Sequence, residues 1–370
     1  MLWLYWIILI ILIILTTTLL FNSLFGPFLK RPHELKFHPR VSVLIPARNE
    51  EKNIATCLDH LLAQDYDSFE IIVLDDQSDD RTAAIVSGYA RDHAHVILIN
   101  GQTLPAGWTG KNWACQQLAQ VAGGDIIIFT DADTEHGPAA IRNSLGWMQK
   151  YQVDMLSAFP QQITKTFSEK LIVPVIDFFV YGLLPLWTTY FIKSAAFAAA
   201  NGQWIVFKKT VYEQIGGHQS VKNEIVEDVE LNRLAKRQGF KTMTLAGTKA
   251  VFCRMYHSAA EVWHGFSKNF YGLTGHQVSI FFLIELALLS CCVLPYVLWP
   301  FYPQSALLSI ILLLNMVIRA VLAVRFKHPL FISVLLHPLA ILYAAIIGIN
   351  SFYQFHWGHF QWKDRTIQFR

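Results

Sequence analysis

The chain opens on an apolar run, Leu2 to Phe21, that contains no charged residue. As a helix, a run of this length crosses a hydrocarbon core of about 30 Å. A cleavable signal peptide is the rival reading, but nothing basic precedes Leu2 and no small-residue cleavage pattern follows, so a retained anchor over residues 1–24 is expected. Three more apolar runs come late, Ile280–Trp299, Ser305–Val324 and Leu330–Ile349, which makes 280–350 a membrane-embedded region. The stretch 171–206 is apolar too, yet Pro174, Asp177, Pro185 and Lys193 interrupt it and aromatic residues are spread along it. That mixture predicts an interfacial segment, with a strained crossing helix as the alternative.

Between residues 38 and 275 the pattern changes to short β-rich runs alternating with helical periodicity. Strands are expected over Val41–Ile45, ending at Pro46, then over Phe69–Leu74, His95–Ile99 and Asp125–Phe129. Between the first two, the segment from Glu50 to Gln64 repeats apolar residues (Ile54, Leu58, Leu61, Leu62) at helical spacing, and a second helix is expected from Arg81 to Arg91. Such alternation specifies an α/β domain with a mostly parallel sheet covered by helices on both faces. Ligands of such sheets bind beyond the carboxyl ends of the strands.

Those ends carry charge. The first strand runs into Pro46-Ala-Arg-Asn-Glu50, the second into Asp75-Asp-Gln-Ser78 and the fourth into Thr130-Asp-Ala-Asp133. Acids gathered at one edge repel unless a cation or hydrogen-bond donors share the space. Asp131 and Asp133 suit a hard divalent cation, which takes oxygen ligands and leaves positions for substrate phosphates. Asp75 and Asp76 could accept hydrogen bonds from a base or ribose, or simply form a turn or helix cap. No Gly-x-Gly-x-x-Gly or Gly-x-x-x-x-Gly-Lys-Ser/Thr phosphate cradle is present. The segment from Gly107 to Asn112 offers Lys111 for a phosphate, with a surface turn as the alternative. Farther on, Glu227 and Asp228 open a helix that runs to Arg237. The helix dipole favours acids there, and a carboxylate at that place can also act as a general base.

Composition narrows the class. Of 370 residues, 53% are hydrophobic and 15% charged, too apolar for a chain that never meets lipid. A formal charge of +3 without a Lys/Arg-rich run sets nucleic acid aside as a partner. The five scattered cysteines suggest neither a disulfide framework nor a zinc site, and the histidines at 218, 257, 264 and 276 have no metal-ligand spacing. Lys30, Arg31, Lys36 and Arg40 follow the anchor, placing the soluble domain in the cytoplasm, and Arg325, Lys327 and His328 mark a second cytoplasmic gap. Counting crossings leaves the 351–370 tail outside, although it carries Lys363, Arg365 and Arg370. Either Leu330–Ile349 is re-entrant or another run does not cross.

Taken together, these motifs resemble the family 2 glycosyltransferases, which have the GT-A fold. Pro-Ala-Arg-Asn-Glu at 46–50, Asp-Asp-Gln-Ser at 75–78, Gly-Lys at 110–111, Thr-Asp-Ala-Asp at 130–133 and Glu-Asp at 227–228 follow the family's order. The resemblance implies an inverting transferase of a hexose from a nucleotide sugar, a UDP-sugar in this reading, with Mg²⁺ or Mn²⁺. By the same resemblance Pro46, Arg48, Glu50, Asp76 and Lys111 would line the nucleotide and Asp131 would lie beside the diphosphate. Asp133 would hold the metal, and Asp228 with Glu227 would supply the catalytic base. The whole layout is similar to the membrane glycosyltransferases of carotenoid and hopanoid pathways, the diaponeurosporenoate glycosyltransferases among them. They share the anchor, a Gly-Trp-Thr-Gly-Lys segment (107–111), an Arg-Met-Tyr segment (254–256) and C-terminal apolar helices. Their Trp-Lys-Gly-Arg tail reads Gln361-Trp-Lys-Asp-Arg365 here, with Asp364 replacing the glycine. The expected partners are thus a nucleotide-sugar donor and a lipid acceptor reached through the membrane, with Trp187, Tyr190 and Trp204 as candidate lipid contacts. A polysaccharide or glycolipid synthase on the same fold is the alternative, although the Gln-x-x-Arg-Trp signature of processive synthases is not evident around Glu261–Lys268.

Overall fold

A computed structural model describes residues 2–30 and 34–357, together with the backbone of 360–362 and 365–367. Arg31, Lys363, Asp364 and Arg370 lie outside the described residues. The chain divides into two compact units. One comprises Pro27–Ile163 with Leu186–Arg254, the other Met1–Gly26, Thr164–Pro185 and Met255–Arg370.

The first unit is built on strands β1 (Val41–Ala47), β2 (Phe69–Asp75), β3 (Val96–Asn100), β4 (Ile126–Phe129), β5 (Thr134–His136), β6 (Met155–Phe159), β7 (Gln161–Gln162), β8 (Ile205–Lys208), β9 (Thr242–Ala246) and β10 (Val251–Cys253). Seven of them form one sheet in the order β3-β2-β1-β4-β8-β6-β9. Every pairing in it is parallel except the two made by β8, so the mostly parallel expectation holds. Helices cover both faces. The helix Ile54–Leu62 buries Ile54, Leu58 and Leu61 with Val41, Val43 and Ile45, while the helix Gly110–Val121 buries Ala114, Cys115 and Leu118 with Leu44 and Ile127. Alternate residues of β1 therefore serve opposite cores, and each fully buried aliphatic side chain contributes about 1.5–3 kcal/mol.

β1 passes through Pro46 instead of stopping at it. β4 accompanies β1 only from Val41 to Leu44, so beyond that point one neighbour remains and a proline without an N–H is tolerated. The helix after β1 starts at Ile54, four residues later than its periodicity suggests, because Asn49 takes a left-handed φ of 53° and the residues around it are held by the neighbouring loop. A second sheet, β5-β10-β7, sets Cys253 opposite Thr134, one residue from Asp133.

The second unit is mostly helical, with a short antiparallel strand pair, Phe360–Trp362 and Arg365–Ile367, near its end. Among the described residues it contains four helices long and apolar enough to cross a membrane: Trp3–Phe25, Val278–Phe301, Ala306–Phe326 and His337–Trp357. The last differs from the expected Leu330–Ile349. That run breaks into a short helix, Leu330–Leu335, and a fresh one starting at His337, which puts Pro338 in a first turn, where its missing N–H costs nothing. The apolar stretch 171–206 is divided, its part up to Pro185 belonging to this unit and the remainder to the other. Within this unit the helix Pro174–Leu183 presents its acid inward, where Asp177 meets His328 at 2.7 Å with both side chains buried. Buried charge persists only when paired in this way. Asn22 likewise donates to the carbonyls of Tyr181 and Leu184, each at 2.8 Å.

Candidate active site

The loops that leave β1 and β2 are sewn together. Arg48 Nη1 donates to the carbonyls of Asp76 (2.7 Å) and Gln77 (3.1 Å). The Asn49 N–H donates to Ser78 Oγ, the Glu50 N–H to Thr82 Oγ1 and the Glu51 N–H to Asp80, at 2.8–3.0 Å. Gln77, like Asn49, has a positive φ, of 57°. Asp75 and Asp76 are buried at this junction, and Asp75 Oδ1 has no hydrogen-bond partner among the described residues. Asp75 Oδ2 accepts from the Ser78 N–H at 3.3 Å, as a turn requires, while Oδ1 is left as a buried acceptor in the strand-end crevice.

The second half of the site is a charge cluster. Thr109 caps the helix Gly110–Val121 by accepting from the Asn112 N–H, and this sets Lys111 in its first turn. The Lys111 ammonium reaches Asp131 Oδ1 at 2.9 Å and Glu227 Oε1 at 3.1 Å, joining the end of β4 to the start of the helix Glu227–Arg237. Burial pulls this ammonium down, but the two carboxylates outweigh it and hold Lys111 well above its usual range. Next to it, Asp228 accepts two backbone hydrogen bonds, from Gly202 N–H to Oδ2 and from Val229 N–H to Oδ1, both at 2.8 Å. Burial, and then the neighbouring charge of Glu227, push the Asp228 carboxyl up to about 7 against the opposing pull of Lys111 and those two donors. A carboxylate oriented this firmly, with a proton affinity near neutrality, can accept a proton from a reacting hydroxyl.

Around Asp133 the environment is set by β10. Burial, followed by the charges of Asp133 and Asp131 and a hydrogen bond with Asp133, holds the Cys253 thiol well above its usual range, so it remains protonated. Gln203 Nε2 lies 2.8 Å from the same sulfur, and the Gln203 carbonyl accepts from Thr130 Oγ1 at 2.9 Å. Thr130 Oγ1 also lies 2.9 Å from His136 Nε2, and burial lowers this imidazole to about 3. Cys57, pushed up by burial and then by Asp133 and Glu50, is a neutral thiol as well. The ionised donors near Asp133 are therefore hard oxygens. Among the described residues there is no group of three or more His, Cys, Asp or Glu that could hold a metal ion. Hard oxygens such as those of Asp133 are the donors a cation of the Mg²⁺ type takes, one or two carboxylates at a time with phosphate oxygens and water.

Of the residues expected from sequence, the structure joins Lys111, Asp131 and Glu227 by direct contact, sets Asp228 against them, and places Arg48 over the Asp76 carbonyl. Trp204 is a correction. It is fully buried in the sheet's core and donates from Nε1 to Ser144 Oγ at 2.9 Å, so it is not a lipid contact. Trp187 and Tyr190 pack partly buried against the same core. Sequence reasoning passed over Gly202, Gln203 and Cys253. The signal available was the Asn201-Gly-Gln stretch leading into β8, a polar break before an apolar strand.

Comparison with known proteins gives the family and the fold. Residues 42–179 match the family model described as glycosyl transferase family 2. The 4,4'-diaponeurosporenoate glycosyltransferase of Staphylococcus haemolyticus is 32% identical over 258 residues, covering 68% of this chain and 66% of that protein. The Staphylococcus aureus protein of the same name is 27% identical over 369 residues, covering 90% of this chain and 92% of its own. Among solved structures, a mannosyltransferase from Pyrobaculum calidifontis in complex with GDP-Man and Mn²⁺ superposes with a TM-score of 0.55 at 19% identity, covering 95% of this chain and 99% of that one. At that identity the likeness speaks for the fold alone, and the fold is GT-A.

Proposed function

The chain belongs to glycosyl transferase family 2, and from that premise we propose that it moves a hexose from a nucleotide sugar to a membrane lipid of carotenoid or hopanoid type, with inversion at the anomeric carbon. The observation that carries the reading is Asp228, held by two backbone N–H groups beside the Lys111 bridge between Asp131 and Glu227. Pro46, Arg48, Glu50 and Asp76 line the crevice between the β1 and β2 loops, where Asp75 and Asp76 offer acceptors to a base or ribose. Lys111 and Asp131 flank the diphosphate.

The acceptor oxygen attacks the anomeric carbon from the side opposite the leaving nucleoside diphosphate. As the new bond forms, the acceptor's proton passes to Asp228 Oδ, and the backbone donors keep that oxygen aimed. Asp133 would hold Mg²⁺ or Mn²⁺, which when bound neutralises negative charge on the diphosphate. Glu227, tied to Lys111, sustains the proton affinity of Asp228 through its adjacent charge.

The lipid acceptor is supported by four helices of membrane-crossing length and by relatives named for glycosylating diaponeurosporenoate. The basic residues after the first helix favour a multi-pass protein of the cell membrane with this site on the cytoplasmic side. Mass spectrometry of lipids from cells with and without the chain tests the reading. A monoglycosylated lipid that appears only with the chain supports it, and a long polysaccharide in its place replaces it.

A further inference from the structure

We infer that Gly202 is a positioning residue of the transfer step: its N–H aims Asp228, and its bare α-carbon is what allows the Lys111 ammonium to settle between Asp131 and Glu227. The inference rests on the base role proposed for Asp228. A Cβ built on Gly202 would stand 2.9 Å from Lys111 Nζ, 3.6 Å from Glu227 Oε1 and 3.8 Å from Asp228 Oδ2. Three charged groups thus converge on the one missing methyl. Its backbone is not left-handed, so conformational freedom does not explain the glycine; room does.

Gly202 cannot retreat to make that room. On one side the Asn201 N–H donates to Ser157 Oγ at 2.8 Å, and on the other Trp204 is locked in the core through Ser144. The Gln203 N–H donates to Asn201 Oδ1 at 3.0 Å, and its carbonyl accepts from Thr130 at 2.9 Å. With the backbone clamped on both flanks, a methyl at 202 is relieved by the flexible neighbour. The Lys111 ammonium shifts away from the methyl, which lengthens its contacts with Asp131 and Glu227 and weakens the charge that balances Glu227 and Asp228.

A double-mutant cycle tests this on the full-length protein in detergent or nanodiscs, with Gly202→Ala, Lys111→Met and the pair. In the wild-type background Gly202→Ala is expected to lower kcat about a hundredfold, the scale of a misplaced catalytic group. In the Lys111→Met background, where no ammonium opposes the methyl, it lowers kcat less than about threefold. The acid limb of the pH profile also moves upward in Gly202→Ala, since the displaced ammonium no longer favours the Asp228 anion. Costs that multiply across the two backgrounds, or a Gly202→Ala enzyme with wild-type kcat, overturn the inference. Should Gly202→Ala prove unstable, Lys111→Met restores its Tm if the clash is with the ammonium, and failure to restore it counts against the inference. Asp228→Asn is measured alongside. Full turnover in that variant refutes the base reading by itself, while the cycle still reads the Gly202–Lys111 contact.

Discussion

Replacing Asp228 by Asn tests the chemistry most directly, and the structure sets two separate magnitudes for it. The first is kinetic. A positioned base contributes about 10²–10⁴-fold to a proton-transfer step, and an amide cannot accept the proton, so kcat on a hydroxylated acceptor should fall by that range. The second is structural. Asp228 accepts an N–H at each oxygen, from Gly202 and Val229. An Asn keeps one of those contacts and turns its NH₂ towards the other donor, leaving a pair of donors face to face at a cost of about 1–3 kcal/mol. Release of nucleoside diphosphate, measured with saturating donor in the presence and absence of lipid acceptor, gives the first quantity, and Tm gives the second. Acceptor chemistry then separates them. A carboxylic acid acceptor is already ionised at neutral pH, so its glycosylation should lose only the structural part. Burial and the neighbouring charge of Glu227 hold the Asp228 carboxyl above the usual aspartate range, and a base works only when deprotonated, so wild-type kcat/KM on a hydroxyl should decline on acidification at a higher pH than an ordinary aspartate would give. The decline should vanish in the residual activity of the variant. A folded Asp228→Asn enzyme that keeps more than about a tenth of wild-type turnover on a hydroxylated lipid would refute the reasoning.

Three further outcomes follow from other parts of the site and fold. Asp133→Ala should weaken Mn²⁺ binding about tenfold or more, read by calorimetry on the full chain, and chelation should arrest transfer by the wild type; undiminished affinity would remove Asp133 from that role. Arg48→Ala strips the partner from the carbonyls of Asp76 and Gln77, loosening the crevice between the two loops; donor KM should rise about tenfold while kcat changes little, and an unchanged KM would place the nucleotide elsewhere. Trp204→Ala should lower stability by about 3–5 kcal/mol in thermal or denaturant unfolding, as expected for a core indole, whereas Trp204→Phe should fold and leave the lipid KM unchanged.

How much of this was legible beforehand depends on the range of the interaction that decides each feature. The four leading strands and the helix Glu227–Arg237 announce themselves through period and punctuation, which are local, and so do the acids at the strand ends. The pairing of Lys111 with Asp131 and Glu227 joins segments far apart in sequence, and no periodicity encodes it. Asn112 joins the two segments by donating from Nδ2 to the carbonyls of Val221 and Glu224, at 2.7 and 2.9 Å, while β8, antiparallel between β4 and β6, brings Asn201–Gln203 up to the end of β4. For the same reason Trp204 was misassigned. An indole suits a membrane interface and a protein core equally well by composition, and only the register of β8 shows that it points into the core.

That insertion also answers the electrostatic problem posed by the strand ends. Asp131, Glu227 and Asp228 crowd together, and carboxylates in such proximity destabilise the fold unless something compensates them. Lys111 contacts two of them, and backbone N–H groups hold the third without adding a charge. Neutral donors leave Asp228 with its proton affinity raised, where a second ammonium would have suppressed it. Asp131 and Glu227 are thus held by direct contact with an ammonium, while Asp228 is held by two aimed N–H dipoles together with the pull of that same ammonium, which burial and Glu227 outweigh.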